Sequence, residues 1–289
     1  MNFGSISTAM VTPFDSKGNI DFEKTTKLVN HLIDNGSESL VVAGTTGESP
    51  TLSNEEKLAL FKHVVKSVNG RVPVIAGTGS NNTKASIDLS KKAEETGVDA
   101  IMIVAPYYNK PSQDGIVAHF KAIAGSVNLP VMAYNVPGRS VVSFSADTVI
   151  KLAEIPNVIA LKDAGGNLDV MAEIIEKTPD DFYVYSGDDG LTLPSLAIGS
   201  AGIVSVASHV IGNEMRSMID SFKNGDNAEA ARKHRKLLPV MNELFKAPSP
   251  APVKTALQLK GLDVGGVRLP LLPLNQEERA SLAAHLNEL

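Results

Sequence analysis

The sequence predicts an α/β fold, a (β/α)8 barrel of the TIM type with a C-terminal helical appendage. Three observations predict it. Eight short β-like runs occur, amphipathic stretches separate them, and their starts recur about every twenty to thirty-three residues, which suits one strand, one helix and two loops. An open, doubly wound sheet is the alternative; such sheets seldom use eight evenly spaced units, and no dinucleotide fingerprint is present.

The strands are expected at Ser7–Thr12, Ser39–Ala43, Val72–Ala76, Ala100–Ala105, Val131–Tyr134, Val158–Lys162, Tyr183–Ser186 and Gly202–Val206. Helices fill the gaps. Phe22–Asn35 carries Leu28, Val29, Leu32 and Ile33 on one face and stops at Gly36. Asn54–Val68 opens on Ser53 with Glu56 three residues on, a capping box. Thr83–Thr96 stops at Gly97, and Ser112–Val127, Ala146–Glu154, Leu168–Lys177, Leu191–Ile198 and Glu214–Lys223 follow; Pro156 and Pro179 mark the ends of two of them. Residues 1–224 thus form the barrel. Residues 225–289 read as helices near Asn227–Phe245, Pro252–Lys260 and Gln276–Asn287, with a stiff connector at Ala247–Pro252. They are too few for an independent domain and are expected to pack on the barrel.

The 289 residues are 43% hydrophobic and 20% charged, ordinary globular values, with a formal charge of −5 and a pI near 5.7. No basic footprint for nucleic acid and no polybasic membrane segment occurs. Without cysteine, neither disulfides nor thiolate metal sites are available. The N-terminus has no basic region followed by an apolar one, and no apolar run reaches membrane-spanning length. A cytoplasmic location is the expectation.

In such barrels function gathers on the loops after the strands' C-terminal ends. Lys162 is the most informative residue there. It ends the run Val158–Leu161 and opens into Asp163-Ala164-Gly165-Gly166. Side chains alternate along a strand, so Val158, Ala160 and Lys162 share one face, as do Met132 and Tyr134 on the strand before. If both faces point inward, Lys162 and Tyr134 are neighbours at the barrel mouth. A neutral lysine amine attacks a ketone to form an imine, and a phenol beside it relays the protons that step demands. The alternative readings are a strand-end lysine reaching to water and a tyrosine packed at the rim.

Other loops point the same way. In GTTGES (44–49), glycine allows close approach while the Thr45 and Thr46 hydroxyls and backbone N–H groups form a nest for a carboxylate; a plain tight turn is the alternative, and no GK[ST] makes it a Walker loop. Arg139, in a loop stiffened by Pro137, suits a second carboxylate or a surface ion pair. GTGSNN (77–82) reads as structural. Asp188-Asp189 lacks partners at metal-ligand spacing, and the six histidines are scattered, so no metal is expected. Tyr107-Tyr108 at a loop tip reads as a subunit contact or a lid as readily as a catalytic pair.

As a set, GTTGES, GTGSNNT, PYYNKPSQDG, YNVPGR, the KDAGG lysine, SGDD and APSPAPVK closely resemble the dihydrodipicolinate synthase / N-acetylneuraminate lyase family of class I aldolase-type barrels, over essentially the whole chain. Thr45-Thr46, where the lyases have serine before threonine, and Arg139, which they lack, place the likeness on the synthase side. The resemblance implies condensation of pyruvate with L-aspartate 4-semialdehyde in diaminopimelate and lysine biosynthesis, with no metal or organic cofactor. It implies that Lys162 forms the Schiff base, that Tyr134, Thr45 and Tyr108 form a proton relay with Tyr108 reaching in from a neighbouring subunit, and that Thr45 and Thr46 hold the pyruvate carboxylate. Arg139 would receive the aldehyde's carboxylate, and Gly187 and Val204 would line the pyruvate pocket. A homotetramer built as a dimer of dimers is implied too. The departures, Gly165 for Ser or Thr and Ser140 for Thr, remove no catalytic group. Asn54, Lys57 and Ala85 stand where lysine-inhibited relatives carry His and Glu, so weak or absent inhibition by lysine is expected. Another 2-oxo-acid aldolase on the same scaffold, and a barrel that only binds small acids, are the rival functions.

Overall fold

Side-chain alternation and a closed hydrogen-bond ladder dictate the architecture. The computed structural model describes residues 1–288. Its strands are β1 (Ile6–Ala9), β2 (Ser39–Val42), β3 (Val74–Gly77), β4 (Ala100–Val104), β5 (Val131–Asn135), β6 (Val158–Asp163), β7 (Tyr183–Ser186) and β8 (Gly202–Ser205). Each pairs in parallel with the next, and β8 pairs with β1 through Ile6↔Ile203 and Ser7↔Val204, which closes the barrel and excludes the open sheet. Helices follow the strands at nearly the expected places. Asn54–Val68 has the capping box, with Ser53 accepting from the Glu56 backbone and Glu56 from that of Ser53. The Glu214–Lys223 expectation is six residues short at its start. The helix runs Ser208–Lys223, with non-helical backbone at Ile211, so its first turn carries no amphipathic stripe to read.

Two apolar layers result. Alternate strand residues, among them Val41, Met102, Met132, Ala160 and Val204, fill the barrel interior. Their neighbours face the helices and join a second, continuous layer. That outer layer runs on through Leu237, Val240, Val253, Leu257 and Leu282 of the helices Asn227–Glu243, Ala251–Leu259 and Gln276–Asn287. The expected connector is shorter than the Pro-rich run, because Ala251 and Pro252 already lie in a helix; proline suits a first helical turn. Lys233 ties the post-barrel chain to Ser217 and Ser221, and Lys260 donates to the Val210 carbonyl at 2.7 Å. No described helix is long and apolar enough to cross a membrane.

Candidate active site

Lys162 near the end of β6 and Tyr134 near the end of β5 are direct partners in the strand register. Both are 5% exposed. The Lys162 Nζ lies 4.3 Å from the centre of the Tyr134 ring. Among the described residues no carboxylate or hydrogen-bond acceptor engages that amine. The inward parity of Lys162 with Ala160, and of Tyr134 with Met132, therefore holds, but Val158 joins the outer layer because the ladder shifts register between Val131 and Met132. The amine's immediate neighbour is an aromatic face. On its other flank is Gly187. A Cβ there would stand 3.1 Å from Lys162 Cε and 2.9 Å from Ala164 Cβ, so only glycine leaves the lysine its place.

The backbone around Lys162 is fixed by its neighbour Asp163. Asn135 Nδ2 donates to Asp163 Oδ1 at 2.7 Å, and the Asn135 carbonyl oxygen of the side chain accepts from the Phe144 N–H. The Gly187 N–H donates to the Asp163 backbone carbonyl at 2.7 Å. Burial raises the Asp163 pKa, and the Asn135 hydrogen bond opposes it. Asp189, considered above for a metal, is buried instead as a clamp. It accepts from the Ser205 hydroxyl and from the backbone N–H groups of Val206 and Ala207, joining the loops after β7 and β8. Burial raises its pKa as well. Among the described residues, no group of three or more His, Asp or Glu is arranged to hold a metal ion.

The GTTGES turn follows β2. Ala43 and Glu48 at its two ends adopt left-handed backbone with φ of 52° and 58°. Thr12 Oγ1 donates to the Gly47 carbonyl at 2.6 Å, and the Glu48 N–H to the Thr45 carbonyl at 3.0 Å. Thr46 is buried and Thr45 half-buried.

A cavity of about 290 Å³ opens beside this turn, its walls including Thr45, Lys57, Ser80, Tyr107, Tyr134 and Arg139. Three expected site residues, Thr45, Tyr134 and Arg139, are thus brought to one space. Lys162 adjoins it through Tyr134. Thr46, Gly187 and Val204 are not part of its wall, and Val204 is wholly buried in the barrel interior. Arg139 sits on a short helical turn, Pro137–Ser140, not on an irregular loop. GTGSNN has the structural role expected, with Asn82 capping the helix Thr83–Glu94 and Ser80 bonded to Ser86, and its Gly77, Gly79 and Ser80 line the cavity as well. The tyrosine pair divides. Tyr107 faces the cavity, while Tyr108, at φ 72° and 87% exposed, projects from this protomer. Met102 and Val104 of β4 also line the cavity; in sequence they are indistinguishable from core.

A buried lysine with its amine over a tyrosine ring at the C-terminal end of a closed (β/α)8 barrel, with a hydroxyl-lined turn and an arginine around the same space, is the arrangement of an aldolase-type barrel. Comparison with known proteins narrows the class. The profile of the dihydrodipicolinate synthetase family matches residues 2–289, and the chain belongs to that family. It is 68% identical over 289 residues to the 4-hydroxy-tetrahydrodipicolinate synthase of Bacillus velezensis, covering 100% of both chains. A crystal structure of dihydrodipicolinate synthase from Bacillus anthracis superposes with a TM-score of 0.99 at 67% identity, covering 100% of this chain and 99% of that one. The enzyme from Cyanidioschyzon merolae, crystallised with lysine bound, superposes with a TM-score of 0.97 at 46% identity, covering 99% and 98%.

Proposed function

We propose that this chain condenses pyruvate with L-aspartate 4-semialdehyde to give 4-hydroxy-tetrahydrodipicolinate, the entry to diaminopimelate and lysine. The observation that carries the reading is the buried, unpaired Lys162 set against the Tyr134 ring. The Lys162 amine adds to the pyruvate ketone, and loss of water leaves the imine. The protonated imine then serves as electron sink while C3 loses a proton, so the chemistry calls for no metal or organic cofactor. The resulting enamine carbon attacks the aldehyde carbon. The substrate's own amine then displaces Lys162 by transimination and closes the six-membered ring.

Tyr134 and Thr45 share the cavity wall, which supports their pairing in a proton relay. Tyr108 completes that relay in a neighbouring subunit; its exposed ring on a left-handed tip supports a role outside its own protomer, and so at least a tight dimer, two of which make the homotetramer that the family likeness implies. Thr45 and Thr46 hold the pyruvate carboxylate, with Gly187 and Val204 shaping the space around the imine. Arg139, solvent-accessible on the cavity wall, receives the carboxylate of the aldehyde. The reading places the enzyme in the cytoplasm.

The test combines trapping with turnover. Borohydride with pyruvate should fix a three-carbon adduct on Lys162, and Lys162→Ala should abolish both the adduct and activity. In a coupled reductase assay only aspartate semialdehyde should be consumed rapidly, beside N-acetylmannosamine and simple aldehydes as rival acceptors. A trapped imine with turnover of another acceptor moves the chain to a different aldolase. No adduct leaves a barrel that only binds small acids.

A further inference from the structure

The C-terminal segment reaches back to the turn that carries Thr45 and Thr46. Its grip is Glu48, buried near the end of GTTGES. Glu48 Oε2 accepts from the Arg268 N–H at 2.9 Å. Glu48 Oε1 stands 2.6 Å from Lys254 Nζ, a buried ion pair. Lys254 also donates to the Gly266 carbonyl at 2.6 Å and lies 4.2 Å from the Phe14 ring centre. The Arg268 guanidinium covers the same ring at 4.5 Å, donates to the Thr51 carbonyl at 2.7 Å and pairs with Glu56.

Packing alone does not account for this pair. A charge pair buried to 2% and 1% exposure costs much of its attraction in desolvation, and apolar residues of like volume usually serve a core as well. The turn it anchors, however, is one that local sequence does not hold. Ala43 and Glu48 bracket Gly44–Gly47 with two left-handed residues, neither of them glycine. Such backbone persists only where surrounding contacts over-determine it. Glu48 closes the turn through its N–H to Thr45 and is itself fixed by its side chain to Lys254 and Arg268.

We infer that Lys254 and Glu48 are positioning residues for the Thr45–Thr46 turn, holding it in the shape that receives the carboxylate of the 2-oxo acid. The inference rests on the functional reading above. Neither residue touches substrate; each acts through the turn.

The experiment is borohydride trapping of the pyruvate imine across pyruvate concentrations in Lys254→Met, Glu48→Asp and the double variant Lys254→Met/Glu48→Gln, beside steady-state turnover. Lys254→Met leaves a buried carboxylate without its counter-charge, and its half-saturating pyruvate should rise about tenfold or more. The KM for the aldehyde should stay within about twofold, while the trapping rate at saturating pyruvate should fall as well, because the same turn carries Thr45 of the relay. Removing both charges should recover a large part of the pyruvate affinity. Glu48→Asp keeps the charge at a left-handed position that Asp tolerates, and shortens the reach by one methylene; a rise of about threefold or more is expected. If Lys254→Met does not fold, Glu48→Asp decides. A purely structural pair would lower Tm and leave half-saturation within twofold of the parent, which overturns the inference. No trapping in the parent would sink the functional reading, and this inference with it.

Discussion

Tyr134 and Lys162 are partners across the β5–β6 ladder, and the lysine Nζ lies 4.3 Å from the centre of the phenol ring. The ring face, not a carboxylate, is therefore what the amine rests on. Contacts of this kind contribute about 0.5–2 kcal/mol depending on desolvation, and they leave the nitrogen lone pair free when the proton departs. A carboxylate in the same place would hold the ammonium as an ion pair.

On the proposed function, this arrangement separates the packing of Tyr134 from its part in the relay. Tyr134→Phe keeps the ring under Lys162 and removes only the hydroxyl. Folding and Tm should be nearly unchanged, and kcat should fall by about two orders of magnitude or more, the scale of a lost acid–base group. Steady-state kinetics beside thermal unfolding measure both. A near-normal kcat would reject the relay.

Gly187 bounds Lys162 on the opposite side. In Gly187→Ala the added methyl would meet Lys162 Cε at 3.1 Å and Ala164 Cβ at 2.9 Å, so the lysine must shift. Overpacking of this kind costs about 1–3 kcal/mol. The larger effect should fall on chemistry, because a displaced nucleophile loses its attack geometry; the rate of imine trapping should drop by about tenfold or more. An unchanged trapping rate would mean that the lysine has room to spare.

Lys57 bears on the expected insensitivity to lysine. It is half-buried on the cavity wall, and burial lowers its pKa from the usual lysine value. Among the described residues it has no carboxylate partner, while Asn54 and Ala85 are exposed and uncharged. A cationic effector entering here finds a lysine and no acid to receive its ammonium. Free lysine up to about 1 mM should leave turnover unchanged in the coupled assay. Half-maximal inhibition below that concentration would contradict this account.

The parts of the site legible in sequence are those with a local signature. Lys162 and Tyr134 could be set side by side because strand alternation fixes the face of each residue and both runs end in turn-forming residues. The barrel followed from spacing for the same reason. What stayed hidden depends on long-range closure. Nothing near Glu48 announces that Arg268, 220 residues on, will meet its carboxylate. Likewise Gly79 and Ser80 form cavity wall only because the loop after β3 lies beside the GTTGES turn; a Cβ on Gly77 would be 2.5 Å from the Ala43 carbonyl. Asp189 looked like half of an acidic pair until its three donors from the β8 end were in place.

His209 makes stability depend on pH in a defined direction. It is wholly buried, its Nδ1 lies 2.8 Å from the Val206 carbonyl, and its Nε2 lies 3.1 Å from the Val11 nitrogen. The carbonyl assigns the proton to Nδ1, so Nε2 must accept from the Val11 N–H. Protonating Nε2 would set two donors against each other. Burial brings the pKa down to about 4, opposed by the Val206 hydrogen bond. Unfolded, the ring titrates near 6.5, so between those values the unfolded chain binds more protons and stability falls as pH falls. At pH 5 the loss from this residue is about 2 kcal/mol. His119, buried and also brought to about 4 by desolvation, adds a second loss of the same sign. Urea unfolding at pH 7.5 and pH 5.0 should show the decline. His209→Gln supplies an acceptor and a donor that do not titrate; whatever its stability at pH 7.5, it should lose about 2 kcal/mol less than the parent on acidification. Equal losses in parent and variant would show that the imidazole stays neutral or finds another partner.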